Sequence, residues 1–147
     1  MRMTYPGFAM LQGFEGCRLT AYPDVAGIWT IGYGSTRYAD RRRVVQGDAV
    51  TQLEADELFR DTLVIYEQAV DDVTRDDLTG RQFDALVSLT YNIGPTAYRG
   101  STLRRVVNRD PADPAITEAF TRWNKAGGAV VPGLLRRRRA EARWYFS

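Results

Sequence analysis

The sequence predicts an α+β fold, with a small β-hairpin N-terminal lobe, a long connecting helix and a helical C-terminal lobe. Three observations predict it. Phe8, Leu11 and Phe14 recur at helical spacing over residues 5–15. Residues 28–34 switch to period two, with Ile28, Thr30, Gly32 and Gly34 alternating with Trp29, Ile31 and Tyr33. From Thr51 onward the periodic segments are helical, and two of them open on capping boxes.

Each element has its own start and stop. The first helix stops at Gly16, where a residue without Cβ suits the turn out. Asp24-Val25-Ala26-Gly27 has Asp first and Gly last, the pattern of a tight turn, so residues 19–34 form a hairpin or meander. Residues 37–50 make a basic loop containing Arg41-Arg42-Arg43, with a short strand expected around Val44-Val45. Thr51-Gln52-Leu53-Glu54 opens a long amphipathic helix to about Val73. Its inner face is Ala55, Leu58, Phe59, Thr62, Ile65, Tyr66, Ala69, Val70 and Val73. Thr79-Gly80-Arg81-Gln82 opens a second helix, apolar nearly all round and therefore central, which ends at Asn92-Ile93-Gly94-Pro95. Ser101 caps a short helix to Asn108. Asp113 caps another to about Trp123, with Pro114 at its first position. Ala126-Gly127-Gly128 reads as a flexible loop, and Leu134 to Phe146 as a final arginine-rich helix.

The 147 residues suit one domain. Hydrophobic content of 44% and charged content of 26% are those of a soluble globular chain. No run is long and apolar enough to span a bilayer. Met1-Arg2-Met3-Thr4-Tyr5-Pro6 lacks the apolar core of a signal peptide, so the expectation is a chain made in the cytoplasm. Cys17 is the only cysteine, which rules out an internal disulfide, and it reads as an inert, partly buried thiol. The absence of histidine removes Ser-His and Cys-His nucleophile chemistry and most zinc sites. Proton transfer must then rest on carboxylates.

The net charge of +2 conceals an asymmetry. Residues 51–90 hold 10 acidic and 3 basic side chains, and residues 99–147 hold 11 basic and 4 acidic. A basic end concentrates polyanions, whether nucleic acid, membrane or anionic polysaccharide. Taken alone, Arg41–Arg43 and Arg136–Arg139 read as solvated faces.

The chemistry-bearing stretch is Glu15, Asp24 and Thr30. Two carboxylates in one cleft are the minimal equipment for breaking a glycosidic bond, one giving a proton and the other handling water or oxocarbenium charge. Glu15 falls at the end of a helix, whose negative pole disfavours the charged carboxylate and suits a proton donor. Asp24 sits in a turn, where it stays ionised. Strand alternation puts Thr30 on one face with Gly32 and Gly34, an open, polar floor that a ligand could approach. Trp29 and Tyr33 take the opposite, packing phase. The same three residues also fit a surface Glu, a turn-forming Asp and a β-branched strand Thr.

In context, these residues resemble the phage-type lysozymes, the endolysins or muramidases of lambdoid-phage and prophage type (glycoside hydrolase family 24). The family's signature is a Glu, eight residues, an Asp or Cys, five residues and a Thr, matched here without a gap by Glu15, Asp24 and Thr30. Trp29-Thr30-Ile31-Gly32-Tyr33-Gly34, the run from Phe83 to Gly94, Arg122-Trp123 and the stretch from Pro132 to Arg138 with Glu141 and Trp144-Tyr145 extend the likeness. It covers residues 7 to 146.

The resemblance implies a lysozyme-like fold with its cleft between two lobes, and no cofactor. It implies hydrolysis of the β-1,4 bond between N-acetylmuramic acid and N-acetylglucosamine in peptidoglycan, for host-cell lysis. Glu15 would be the acid, Asp24 the base or electrostatic partner, and Thr30 the water-positioning residue. Enzymes of this type are taken as inverting, an outcome set by the carboxylate separation. Tyr33 and Gly34 would lie at the cleft edge, and Asn92 where the central helix meets it. Arg137, or Arg136, would pair with Glu15 or bind anionic groups of the wall. The basic half would draw the enzyme to anionic walls, and its last helix to anionic membranes. The expected protein is a monomer that acts on the periplasmic wall and needs a holin or another release route. The rivals are a lytic transglycosylase, which needs only the Glu, and a catalytically silent wall-binding or nucleic-acid-binding module.

Overall fold

The computed structural model describes residues 1–147. The element order is α1 (Tyr5–Glu15), β1 (Arg18–Pro23), β2 (Trp29–Gly32), α2 (Gln52–Asp71), α3 (Gly80–Ile93), α4 (Pro95–Arg99), α5 (Thr102–Arg109), α6 (Ala115–Thr121), β3 (Lys125–Ala126), β4 (Ala129–Val130) and α7 (Pro132–Tyr145). The mixed α+β class expected from the sequence is the one observed. The chain forms two compact units: residues 9–65, and residues 1–8 together with 66–147. α1 and α2 each pass from one unit into the other.

The unit of residues 9–65 is built on an antiparallel hairpin. Arg18 pairs with Gly32, Tyr22 with Thr30 and Pro23 with Trp29, with a bulge in β1 between Arg18 and Tyr22. The bulge bends β1 along the stretch that separates Glu15 from Asp24. Ile31, Val44 and Leu58 form a buried core, joined by Ala21, Trp29, Tyr38 and Val50. Each fully buried side chain of this size stabilises the fold by roughly 1.5–3 kcal/mol. The strand expected around Val44-Val45 is not present. An isolated bridge between Arg37 and Arg43 closes that loop instead, and Asp48 ties it together by accepting from the Tyr38 hydroxyl at 2.7 Å and Val45 N–H at 3.0 Å.

α2 opens on the expected box: Thr51 Oγ1 accepts from Glu54 N–H at 3.1 Å, and Glu54 Oε1 from Thr51 N–H at 3.3 Å. One position of its predicted inner face is wrong. Ile65 is 66% exposed, and Leu63, at 2%, is buried in its place. Leu63 follows Phe59 by four residues and precedes Val70 by seven, so it continues the buried face, whereas Ile65 lies off it.

In the other unit, α3 is the central helix. Its residues from Phe83 to Thr90 are all buried, and its Thr79–Gln82 capping box is formed. α7 packs against α3 and α6, and α5 against α6. Three expectations change here. The chain beyond Gly94 does not simply turn, because Pro95 starts the short helix α4. Asp113 is the side chain that caps α6, accepting from Ala115 N–H at 2.8 Å, but Pro114 occupies the cap position itself. Residues 125–130 form a tight two-stranded hairpin in place of a loose loop, because Gly127 and Gly128 both adopt positive φ, which few other residues would tolerate.

The N-terminus is fastened to this second unit. Asp84, fully buried, accepts from Thr4 N–H at 2.8 Å, the Thr4 hydroxyl at 2.6 Å and Trp144 Nε1 at 3.1 Å. The Met1 amino group pairs with Asp71.

Candidate active site

Glu15, Asp24, Thr30, Tyr33 and Gly34 all fall in the unit of residues 9–65. Asn92 and Arg137 fall in the other.

Glu15 is the last residue of α1 and is half-buried. Gly16 follows at φ +66° and donates its N–H to Gln12 O at 3.0 Å, ending the helix directly after the carboxylate. β1 then leads away from it, pairing at Arg18 with Gly32 and ending just before Asp24. Glu15 and Asp24 therefore stand toward opposite ends of one bent hairpin, and Thr30 lies on the facing strand opposite Tyr22.

Asp24 holds its loop with one oxygen. Oδ1 accepts from Ala26 N–H at 2.8 Å and Ile28 N–H at 2.9 Å. Backbone bonds from Asp24 N–H to Ile28 O and from Gly27 N–H to Asp24 O close the same turn. A carboxylate fixed through Oδ1 keeps Oδ2 for a ligand or a water. Thr30 is 4% exposed and donates its hydroxyl hydrogen to Ile28 O at 2.9 Å. With that hydrogen committed, the hydroxyl oxygen offers lone pairs, the right polarity for receiving a water hydrogen.

The open floor expected beside Thr30 is not there. Gly32 is buried, and a Cβ on it would lie 3.6 Å from Ala55 Cβ, so the glycine meets α2 rather than a ligand. Gly32 and Gly34 both have positive φ, and Ile31 bridges Ser35 across the turn between them, so strict alternation ends at Gly32. Gly34 is exposed at that turn.

Tyr33 anchors the turn from beneath. It is 6% exposed and stacks on Phe59 at 4.7 Å. Its hydroxyl donates to Asp56 Oδ1 at 2.8 Å and accepts from Gln12 and Gln52, each at 3.0 Å. Burial and the Asp56 carboxylate push its hydroxyl up to about 12. Cys17, half-buried, lies beside the same cluster, 3.8 Å from Gln52 Nε2.

Within the second unit, Arg137 and Arg138 are not solvated. Arg138 is completely buried and Arg137 is 8% exposed, while Arg136 and Arg139 on the same helix are exposed. Glu141, also completely buried, supplies the counter-charge. Its Oε1 lies 3.1 Å from Arg137 Nε and 2.6 Å from the Ser88 hydroxyl, and its Oε2 lies 3.3 Å from Arg138 Nε. Burial pushes the Glu141 carboxyl up, and Arg138 and Arg137 oppose this only in part. Arg138 also donates to Asn92 Oδ1 at 2.6 Å. Sequence reasoning missed the roles of Arg138, Glu141 and Asp56. The first two carried a signal in their spacing, since Glu141 follows Arg138 by three residues and Arg137 by four.

A carboxylate at the end of α1, with a second carboxylate and a hydroxyl on the bent hairpin that follows, in a chain whose other unit is mainly helical, defines a lysozyme-like protein. The model of the phage lysozyme family matches residues 12–141, and the chain belongs to that family. It is 39% identical over 142 residues to the endolysin of Salmonella phage P22, covering 97% of each chain. It is 37% identical over 143 residues to the endolysin of Bacillus phage B103, where it spans about half of that protein's length, 52%. Among solved structures, the endolysin from Escherichia coli O157:H7 phage FAHEc1 matches with a TM-score of 0.92 at 36% identity, covering 100% of this chain and 94% of that one. The protein is a lysozyme, a hydrolase of peptidoglycan. No helix is long and apolar enough to cross a membrane.

Proposed function

We propose that the 147 residues act as one catalytic domain that hydrolyses the β-1,4 bond between N-acetylmuramic acid and N-acetylglucosamine, with Glu15, Asp24 and Thr30 as the reacting set. The observation that carries this reading is the commitment of the loop and strand hydrogen bonds. Asp24 Oδ1 and the Thr30 hydroxyl hydrogen are both spent on backbone groups. What remains is a hydroxyl lone pair able to hold a water and a carboxylate oxygen able to take its proton. Glu15, at the helix end, gives its proton to the leaving oxygen. Gly34 meets the glycan through backbone at the exposed turn, and Tyr33 contributes by fixing that turn. Asn92 and Arg137 complete this reading as substrate-binding residues.

Hydrolysis rather than transglycosylation follows from having an acceptor pair for water. Mass spectrometry of digested peptidoglycan tests this. The reading requires reducing-end N-acetylmuramic acid, and an anhydro product lighter by one water would refute it.

The enzyme is a monomer made in the host cytoplasm that reaches the periplasmic wall through a holin or another release route. Its basic region, residues 99–147, draws it to the anionic wall. Such attraction weakens with salt, so lysis that is indifferent to salt would argue against it. The exposed Arg136, Arg139 and Arg143 supply part of this charge from α7, and contact with an anionic membrane would use the same side chains.

A further inference from the structure

Arg138 is completely buried, yet one of its partners is a surface residue. Its Nη2 donates to Asn92 Oδ1 at 2.6 Å, and Asn92 itself is exposed at the end of α3, two residues before Gly94. Arginine has five donors and no acceptor, so the Asn92 atom that faces it must be the carbonyl oxygen. The amide is thereby oriented, and its NH2 is the end left to solvent.

A buried ion pair is weak evidence for stability, because apolar side chains of similar size often serve a core as well or better. Glu141 and Arg138 are both completely buried and lie 3.3 Å apart, and Glu141 is further held by Ser88 and Arg137. This buried network ends on one exposed amide. What reaches the surface is not a guanidinium but the Asn92 NH2, an uncharged donor that suits a neutral oxygen.

We propose that Arg138 is a positioning residue, which, braced by Glu141, aims the Asn92 amide NH2 at a carbonyl or hydroxyl oxygen of the glycan. The proposal rests on the reading of Asn92 as a substrate-binding residue.

The test measures KM and kcat by reducing-end release from glycan strands stripped of their stem peptides, with thermal melting of each variant in parallel. N92A is expected to raise KM about 5-fold, the worth of one neutral hydrogen bond, with kcat changed by less than about 2-fold. N92D keeps an acceptor for Arg138 but loses the donors, so it should raise KM equally without lowering the melting temperature. R138M should match N92A, and the double variant N92A/R138M should be no worse than N92A alone. If R138M does not fold, R138K takes its place, since it keeps a charge opposite Glu141 but lacks the fork that reaches Asn92.

Multiplying effects in the double variant, or an unchanged KM in the Arg138 variant beside a raised one in N92A, would overturn the positioning role and leave Asn92 as a binding residue. An unchanged KM in both N92A and N92D would overturn the reading of Asn92 and the proposal with it.

Discussion

Tyr33 donates its phenolic hydrogen to Asp56 Oδ1 at 2.8 Å, and Gln12 and Gln52 donate to the same phenol from α1 and α2. One hydroxyl thus ties both helices to the turn that carries Gly34. Y33F is expected to cost about 1–2 kcal/mol, a fall in melting temperature of about 3–6 °C. The neutral phenol is the form the fold favours, so this contribution is complete below pH 10 and disappears as pH rises toward about 12. The difference between the melting temperatures of wild type and Y33F should therefore close between pH 10 and 12. A difference that stays constant to pH 12 would contradict the assignment.

Asp113 gives the opposite sign. Its hydrogen bond from Ala115 N–H, with Arg109 beside it, holds its carboxyl below the usual value of 3.8. The stability it contributes is present above pH 3.8 and is lost as pH falls through its folded-state value. D113N retains an oxygen to cap α6 and loses only the charge. Thermal melts from pH 7 to pH 2 should show D113N below wild type at neutral pH, with the two converging in acid.

Glu141 is the shared counter-ion of two buried arginines. E141Q leaves two buried cations without their carboxylate, and removal of one partner from a buried pair costs about 3–5 kcal/mol. Urea unfolding followed by circular dichroism should register that loss. A loss under about 1 kcal/mol would mean that water reaches this network.

Gly7 has no room for a side chain. A Cβ there would sit 2.1 Å from Asp84 Cγ, and Thr4 and Trp144 hold that carboxylate in place. G7A must break this buried cluster or displace α1, at a cost of about 3 kcal/mol, or about 6–12 °C in melting temperature. G13A, in the same helix but with nothing within 4 Å of the added methyl, should instead be neutral or slightly stabilising.

Much of this was legible in the sequence because the signals were local. Thr51 with Glu54 and Thr79 with Gln82 announced their helices within four residues. Asp24 with Gly27 announced the turn, and the period change at Ile28 announced the hairpin. What stayed hidden depends on partners distant in sequence. Asp84 reads as an ordinary helical acid until Thr4, 80 residues earlier, meets it. Gly32 reads as open floor until α2 brings Ala55 against it. The Arg136–Arg139 run reads as a solvated face because composition does not say which two of four arginines turn inward. α4 was hidden by Gly94-Pro95, a pair that stops one helix and, with Pro at the first position, starts another.

The proposed reaction turns on the Glu15 proton. E15Q preserves size and polarity and removes the proton. The decisive measurement is the clearing of a chloroform-treated Gram-negative cell suspension by wild type and by E15Q, both shown to be folded by circular dichroism. E15Q is expected to clear at least about 100-fold more slowly, the typical worth of a general acid. Clearing by E15Q at a rate near that of the wild type would contradict it.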